Sequence, residues 1–356
     1  MKKITILFLL CSFVAAAQDT ITKQSIQNAA LLWDVKFTEK EVDMMLPDLK
    51  DNQADYKKLH GLVLDNSIGM SLSQKLIPDN AVQQKIQWTY NPTIKLPANK
   101  NDLAFYTINQ LGALLRNKSI SSIELTKFFL SRIKKFGDAL QCVISTTELL
   151  ALEQAKQADE NFKKGVDKGP LQGIPYGLKD LFAVKGTKTT WGAQPYKDQL
   201  IDQDAYVYTR LKEAGAVLIA KFTLGALAMG DYWYGGRTKN PWNLERGSSG
   251  SSAGSASATV AGLVPFAIGT ETHGSIVSPS HTCGATGLRP TFGSVSRSGA
   301  MTLSWSLDKI GPICRSAEDA ATVFSCIHGT DHKDASAVNA AFNYSKKLDV
   351  KKLKVG

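Results

Sequence analysis

Cysteine is scarce in this chain, five residues in 356, and no two of them fall at CxxC spacing. That argues against a zinc site of the usual Cys-rich kind, and a count this low excludes a small disulfide scaffold. Histidine is equally sparse. His60, His281, His328 and His332 form no metal-ligand pattern, so no metal is expected. Long apolar runs are absent beyond the first residues, and no integral membrane association is expected. Basic residues outnumber acidic ones, 42 Lys+Arg against 32 Asp+Glu for a net +10, but the lysines are scattered in pairs such as Lys57-Lys58, Lys134-Lys135 and Lys163-Lys164. No basic block is present, so the surplus reads as solvated surface and no nucleic-acid partner is expected. What is present is ordinary globular material, 43% hydrophobic and 21% charged. It is long enough for one large domain or two of average size, with no tandem repeats and nothing of a disordered or collagen-like chain.

The N-terminus reads Met1-Lys2-Lys3, then an apolar stretch from Ile4 to Ala17 broken only by Cys11 and Ser12, then Gln18-Asp19. A cationic start, an apolar segment too short to span a bilayer and the small residues Ala15-Ala16-Ala17 describe a secretory signal peptide over residues 1–17. Cleavage near Ala17 and export, periplasmic or secreted, are the expectation, and the net charge without Lys2 and Lys3 is +8. A lipoprotein leader would use Cys11, but Leu10 precedes it where a small residue is usual; a buried N-terminal helix is the other alternative. The remaining Cys142, Cys283, Cys314 and Cys326 allow three disulfide connectivities, or stay free and buried.

Residues 18–98 read as a helical and extended N-terminal region. Ile21, Ile26, Ala29, Ala30 and Trp33 suggest one short amphipathic helix. A second opens at Thr38, where Thr38-x-x-Glu41 has the form of a capping box and Phe37 and Val42 stand at hydrophobic-staple positions. From about 61 to 98, with Pro78, Pro92 and Pro97 and no clear period, the chain reads as an extended segment draped over a main domain. From residue 99 onward the pattern changes. Ser121-x-x-Glu124 caps a helix with an apolar face of Leu125, Phe128, Phe129, Ile133 and Phe136, ended by Gly137. A strand near Cys142–Ile144, a helix over 147–164, a strand near Ile174–Phe182, a helix near 204–214 and the strand Val217–Phe222 follow. This alternation predicts an α/β layered sheet. A helix capped by Ser316-x-x-Asp319 comes late, and Leu353–Gly356 reads as a strand just starting.

The most informative passage is Gly247-Ser248-Ser249-Gly250-Ser251-Ser252-Ala253-Gly254-Ser255, followed by the apolar stretch to Gly269 and then Thr270-Glu271-Thr272-His273-Gly274-Ser275-Ile276. Composition alone would make its first part a flexible linker, yet it runs into apolar sequence without a polar spacer. It is not a phosphate loop, since no Lys-Ser/Thr follows the glycines. It is not a G-x-S-x-G nucleophile elbow either, since Ile276 and Val277 follow Ser275.

This passage is similar to the signature of the amidase signature family of serine hydrolases, in which a Gly-Gly-Ser-Ser-Gly-Gly block precedes Gly-Thr-x-x-Gly-Gly-Ser-Ile. Ser251 and Ser275 are 24 positions apart, the family's spacing between bridging serine and nucleophile. Gly173-Ile174-Pro175-Tyr176-Gly177-Leu178-Lys179-Asp180 resembles the family's lysine motif. Asn240-Pro241-Trp242-Asn243, Cys283–Thr291 and Asp308-Lys309-Ile310-Gly311-Pro312 fit it in the expected order. Departures are Ser249 and Ala253 where glycine is usual, and His273 for a glycine, a position at which peptide-amidase-like branches also carry non-glycine residues. The resemblance implies a mixed β-sheet core covered by helices on both faces, in a domain over residues 99–356 that reads as C-terminally incomplete.

It also implies a relay. Neutral Lys179 takes a proton from Ser251, which takes one from the attacking Ser275; the acyl group is held on Ser275 until water releases it. Gly250, Ser252 and Thr270 would support the relay, with a cis Gly250–Ser251 peptide. The main-chain N–H groups of Thr272, His273, Gly274 and Ser275 would form the oxyanion hole. For Lys179 to act as a base, burial must lower its pKa, and Ile174, Pro175, Leu178, Leu181 and Phe182 surround it in sequence. The adjacent Asp180 could hold the lysine charged, but neighbours on a strand point to opposite faces. His273 is open to a role as base, as substrate contact or as bystander. The expected activity is hydrolysis of a small-molecule or peptide carboxamide without metal or organic cofactor. The alternatives are an amide-donating subunit of transfer-RNA amidation, disfavoured by the leader, and a catalytically silent exported binding protein.

Overall fold

The computed structural model describes residues 20–62, 65–69, 82–84, 86–88, 90–345 and 351. The leader predicted over residues 1–17 and the strand start at Leu353–Gly356 lie outside them. The chain divides into two compact units between Asp65 and Asn66.

The first unit carries α1 (Lys23–Leu32) and α2 (Glu39–His60). The capping box predicted at Thr38 is formed: Thr38 N–H donates to Glu41 Oε2 at 2.7 Å and Glu41 N–H donates to Thr38 Oγ1 at 3.3 Å. Acidic residues in the first turn of α2 and basic ones in its last complement the helix dipole. In α1 only Ile26 and Ala30 are buried. Trp33 falls at the C-cap and is 81% exposed, so the predicted apolar stripe stops one turn short of it.

In the second unit, residues 90–98 have no regular element but are held by contacts along their length. Arg116 stacks over Tyr90 at 4.0 Å, and Asn117 Nδ2–H donates to Ile94 O at 3.1 Å. Next come α3 (Ile108–Arg116), α4 (Ser122–Leu140), β1 (Val143–Thr146), α5 (Glu148–Lys163), β2 (Pro175–Lys179), α6 (Tyr206–Glu213) and β3 (Val217–Phe222). After two short hairpins at 232–237 and 239–247 follow α7 (Ala253–Val260), β4 (Phe266–Glu271), α8 (Val277–Cys283), β5 (Thr286–Gly287), β6 (Lys309–Cys314) and α9 (Ala317–Ile327). The predicted alternation holds, with one correction in α4. This helix runs through Gly137 to Leu140 and ends at Gln141 in the left-handed region, φ 47°. Gly137 serves packing instead of termination: a Cβ there would meet Val143 Cγ2 at 3.2 Å, where β1 crosses the helix.

The six strands form one mixed sheet in the order β1-β3-β2-β4-β6-β5. β2 runs parallel to both β3 and β4, while β4 pairs antiparallel with β6. Every residue of β2, β3, β4 and β6 is buried. Because side chains alternate between faces, both faces must be covered. This is the expected α/β sheet with helices on either side. On one face Tyr176 of β2 stacks on Phe266 of β4 at 5.3 Å. Lys179 and Glu271 are the last residues of the parallel strands β2 and β4, the edge at which open α/β sheets build their sites.

Candidate active site

Lys179 is fully buried, with 0% exposure, and its sequence neighbours Ile174, Leu178, Leu181 and Phe182 are buried too. Its Nζ lies 2.8 Å from Ser251 Oγ, 3.1 Å from Ser252 Oγ and 2.9 Å from Thr270 Oγ1, with Thr270 O at 3.5 Å. Hydrogen-bond directions in this cluster limit what the amine can do. Ser252 Oγ–H donates to Thr270 O at 3.0 Å and Ser252 Oγ accepts Thr270 N–H at 3.2 Å, so toward Lys179 it can only accept. A neutral Lys179 can therefore give one N–H to Ser252 and the other to Thr270 Oγ1, leaving its lone pair for the Ser251 hydroxyl. A charged Lys179 would donate to all three. Burial pulls the pKa of Lys179 down to about 7, against the opposing pull of the Asp308 and Glu271 carboxylates.

Asp180 does not hold the lysine charged. On the opposite face of the chain, its Oδ1 is 2.7 Å from Lys221 Nζ of β3, and Oδ2 accepts Thr190 N–H at 2.7 Å and Thr190 Oγ1–H at 2.5 Å. The contact with Lys221 is an ion pair more than an aligned hydrogen bond, because the ammonium donates to Lys188 O and Thr189 Oγ1, each at 3.2 Å.

Ser251 lies two residues before α7, is joined to Gly250 by a cis peptide and is 1% exposed. Gly250 is needed where it stands: a Cβ would come within 1.8 Å of Gly230 O. Ser249, at a usual glycine position, takes φ 63°, and its Oγ pairs with Ser278 Oγ at 2.7 Å. The serine-rich block is no linker, since every residue of α7 is buried.

Ser275 is 9% exposed, and its main-chain O accepts Ser252 N–H at 3.1 Å, which ties the two serine segments together. Among the described residues Ser275 Oγ has no hydrogen-bond partner, so a hydroxyl contact with Ser251 is not formed. Nor does any acceptor among them take the main-chain N–H of Thr272, His273, Gly274 or Ser275, the four donors proposed for an oxyanion. The His273 side chain is exposed and points to no relay partner.

Three residues quoted above only as parts of motifs hold this loop. Glu271 Oε2 accepts Ile276 N–H and Val277 N–H, both at 2.9 Å, with Arg289 Nε 3.4 Å from its Oε1. Thr272 Oγ1–H donates to Asp308 Oδ1 at 2.5 Å, and Lys309 Nζ donates to Thr272 O at 3.0 Å. Sequence spacing gives no sign of these ties, which arise from the Lys309–Glu271 register between β6 and β4. All four described cysteines are free.

A family model described as Amidase matches residues 124–356. A glutamyl-tRNA(Gln) amidotransferase subunit from Coxiella burnetii (strain RSA 493 / Nine Mile phase I) is 47% identical over 236 residues, 65% of this chain and 49% of that protein. Its counterpart in Legionella pneumophila (strain Corby) is 42% identical over 257 residues, 70% of this chain and 53% of that one. Among solved structures, the native peptide amidase from Stenotrophomonas maltophilia is similar at 36% identity and TM-score 0.61, over 65% of this chain and 49% of that one. The chain spans about half the length of the curated relatives it matches. It belongs to the amidase signature family, and its mixed α/β sheet is the fold of the amidases it resembles.

Proposed function

We propose that the protein hydrolyses a carboxamide C–N bond through an acyl-enzyme on Ser275. Ser275 Oγ attacks the amide carbon while its proton passes to Ser251 Oγ, and the proton of Ser251 passes to Lys179 Nζ. The carbonyl oxygen, now an anion, faces the free N–H groups of Thr272–Ser275. On collapse the C–N bond breaks, the Lys179 proton returns through Ser251 to the leaving nitrogen, and ammonia or an amine departs. Water then attacks the Ser275 ester by the same relay and releases a carboxylate. The single observation that carries this reading is Lys179 Nζ, buried and pulled toward neutrality, 2.8 Å from Ser251 Oγ. Ser275 Oγ, without a partner, can turn toward Ser251 when a substrate seats, as catalytic contacts commonly tighten on binding.

We take the substrate to be a small-molecule or peptide amide, a reading supported by the likeness to a peptide amidase and by His273 beside the nucleophile. A second reading, an amide-donating amidotransferase-type subunit, is favoured by the name of the curated relatives at 47% identity. Export rests on the leader-like residues 1–17; a mature protein whose N-terminus is not near Gln18, read by mass spectrometry, removes that part.

A serine-directed fluorophosphonate tests the chemistry. Labelling at Ser275 that vanishes in Ser275→Ala supports the enzyme, whereas a silent binding protein stays unlabelled. Ammonia release from peptide amides against release from free glutamine separates the two enzymatic readings.

A further inference from the structure

Glu271 ends β4 and is buried, its side chain 6% exposed, one residue before the stretch Thr272–Ser275 that carries the free N–H groups and the nucleophile. Its carboxylate reaches over that stretch to the far side, where Oε2 takes the N–H of both Ile276 and Val277 at 2.9 Å. The four intervening residues thus form a loop closed at its base by one side chain. The loop's first residue is fixed separately, through Asp308 and Lys309. A free peptide N–H is useful to an anion only if its direction is set before the charge appears. Nothing else among the described residues takes the N–H groups of Ile276 and Val277, which would otherwise turn and carry Ser275 with them.

We propose that Glu271 is a positioning residue for this site, a clamp that aims the N–H groups of Thr272–Ser275 and holds Ser275 against the Ser251 segment. The proposal rests on the amidase reading above. The length of the side chain matters: an aspartate carboxylate would sit about 1.5 Å further back and reach neither N–H. Glu271 also acts on the lysine. The groups facing Lys179 Nζ are the hydroxyls of Ser251, Ser252 and Thr270, with the charges of Asp308 and Glu271 beyond them. Around Glu271 itself stand Arg289 and Lys309. Glu271 favours the Lys179 ammonium, so removing its charge eases deprotonation. That shift follows from the charge alone, so the readout that a residue merely bracing the fold would not move is the split between kcat and KM.

The test compares the full chain with Glu271→Ala and Glu271→Gln, using a peptide carboxamide as substrate and the fluorophosphonate as a second readout. Wild type that neither labels nor turns over defeats the amidase reading itself and is recognised before any variant is made. With an active wild type, Glu271→Ala is expected to lower kcat about 100-fold, as loss of an oxyanion donor does, while KM moves by less than about threefold. Glu271→Gln keeps an oxygen for the N–H groups but no charge. It should lose about tenfold in kcat and shift the acidic midpoint of the pH profile below that of wild type. If Glu271→Ala fails to fold, Glu271→Gln decides. Wild-type kcat and midpoint in Glu271→Gln, or a loss expressed wholly in KM, overturns the clamp.

Discussion

At the scale of single residues, everything turns on how one amine is housed. When neutral, Lys179 can direct its N–H groups at Ser252 and Thr270 and its lone pair at Ser251. Its pKa is lowered, so the charged form dominates below about 7 and the neutral form above it. Only the neutral form accepts a proton. Amide hydrolysis is therefore expected to rise with pH through that region, and a steady-state profile flat from about pH 6 to 9 would contradict it. Lys179→Ala and Ser251→Ala should each slow turnover by about 1,000-fold or more, since members of a relay fail as a unit. Lys179→Arg should be equally inactive at every pH, because a guanidinium does not deprotonate in proteins. Near-wild-type rates in any of these remove the relay. Lys179, Ser251, Ser275, Ser252 and Thr270 were legible in the sequence because their motifs have fixed residue types and spacing. Glu271 and Asp308 were not, because a carboxylate becomes a clamp only through what strand pairing sets opposite it.

At the scale of elements, β2 is buried on both of its faces. Asp180 and Lys221, each at 0% exposure, lock β2 to β3 on the side away from the serines. Removing one partner leaves an uncompensated buried charge. Lys221→Met is therefore expected to cost about 3–5 kcal/mol of stability, read as a lower urea midpoint, while Lys221→Met combined with Asp180→Asn should recover part of it. A midpoint unchanged in the single variant would show that the pair does not brace the strand. α7 depends on close approach instead: a Cβ on Gly254 would come within 2.3 Å of Cys142 O and 2.4 Å of Thr223 Oγ1. Gly254→Ala is expected to destabilise the protein severely. Strand and helix types were readable from apolar periodicity and capping residues, and β3 falls where the sequence puts it. Gly137 misled because glycine serves two ends, stopping a helix or letting a neighbour close in, and only the position of Val143 distinguishes them.

At the scale of the whole molecule, segments remote in sequence are tied to one another within the second unit by polar contacts that no local pattern foretells. Arg297 pairs with Asp334 at 2.8 Å with both side chains buried, and Asn66 Nδ2–H donates to Arg297 O at 2.9 Å. Asp334→Ala should cost about 3–5 kcal/mol by stranding the Arg297 guanidinium, again measurable by urea unfolding. The sheet's mixed order places Lys179, the Ser251 turn and the Ser275 loop together at one edge, although 96 positions separate the first from the last. Family motifs made that convergence readable in advance; composition and periodicity alone stop at an α/β sheet. The most direct test is an NMR titration of the lysine side chains, with the Lys179 signal assigned by its loss in Lys179→Met. A resonance titrating near 7 is what a buried, functional base requires, and one that stays protonated to about 10, the range of an ordinary lysine, would contradict it.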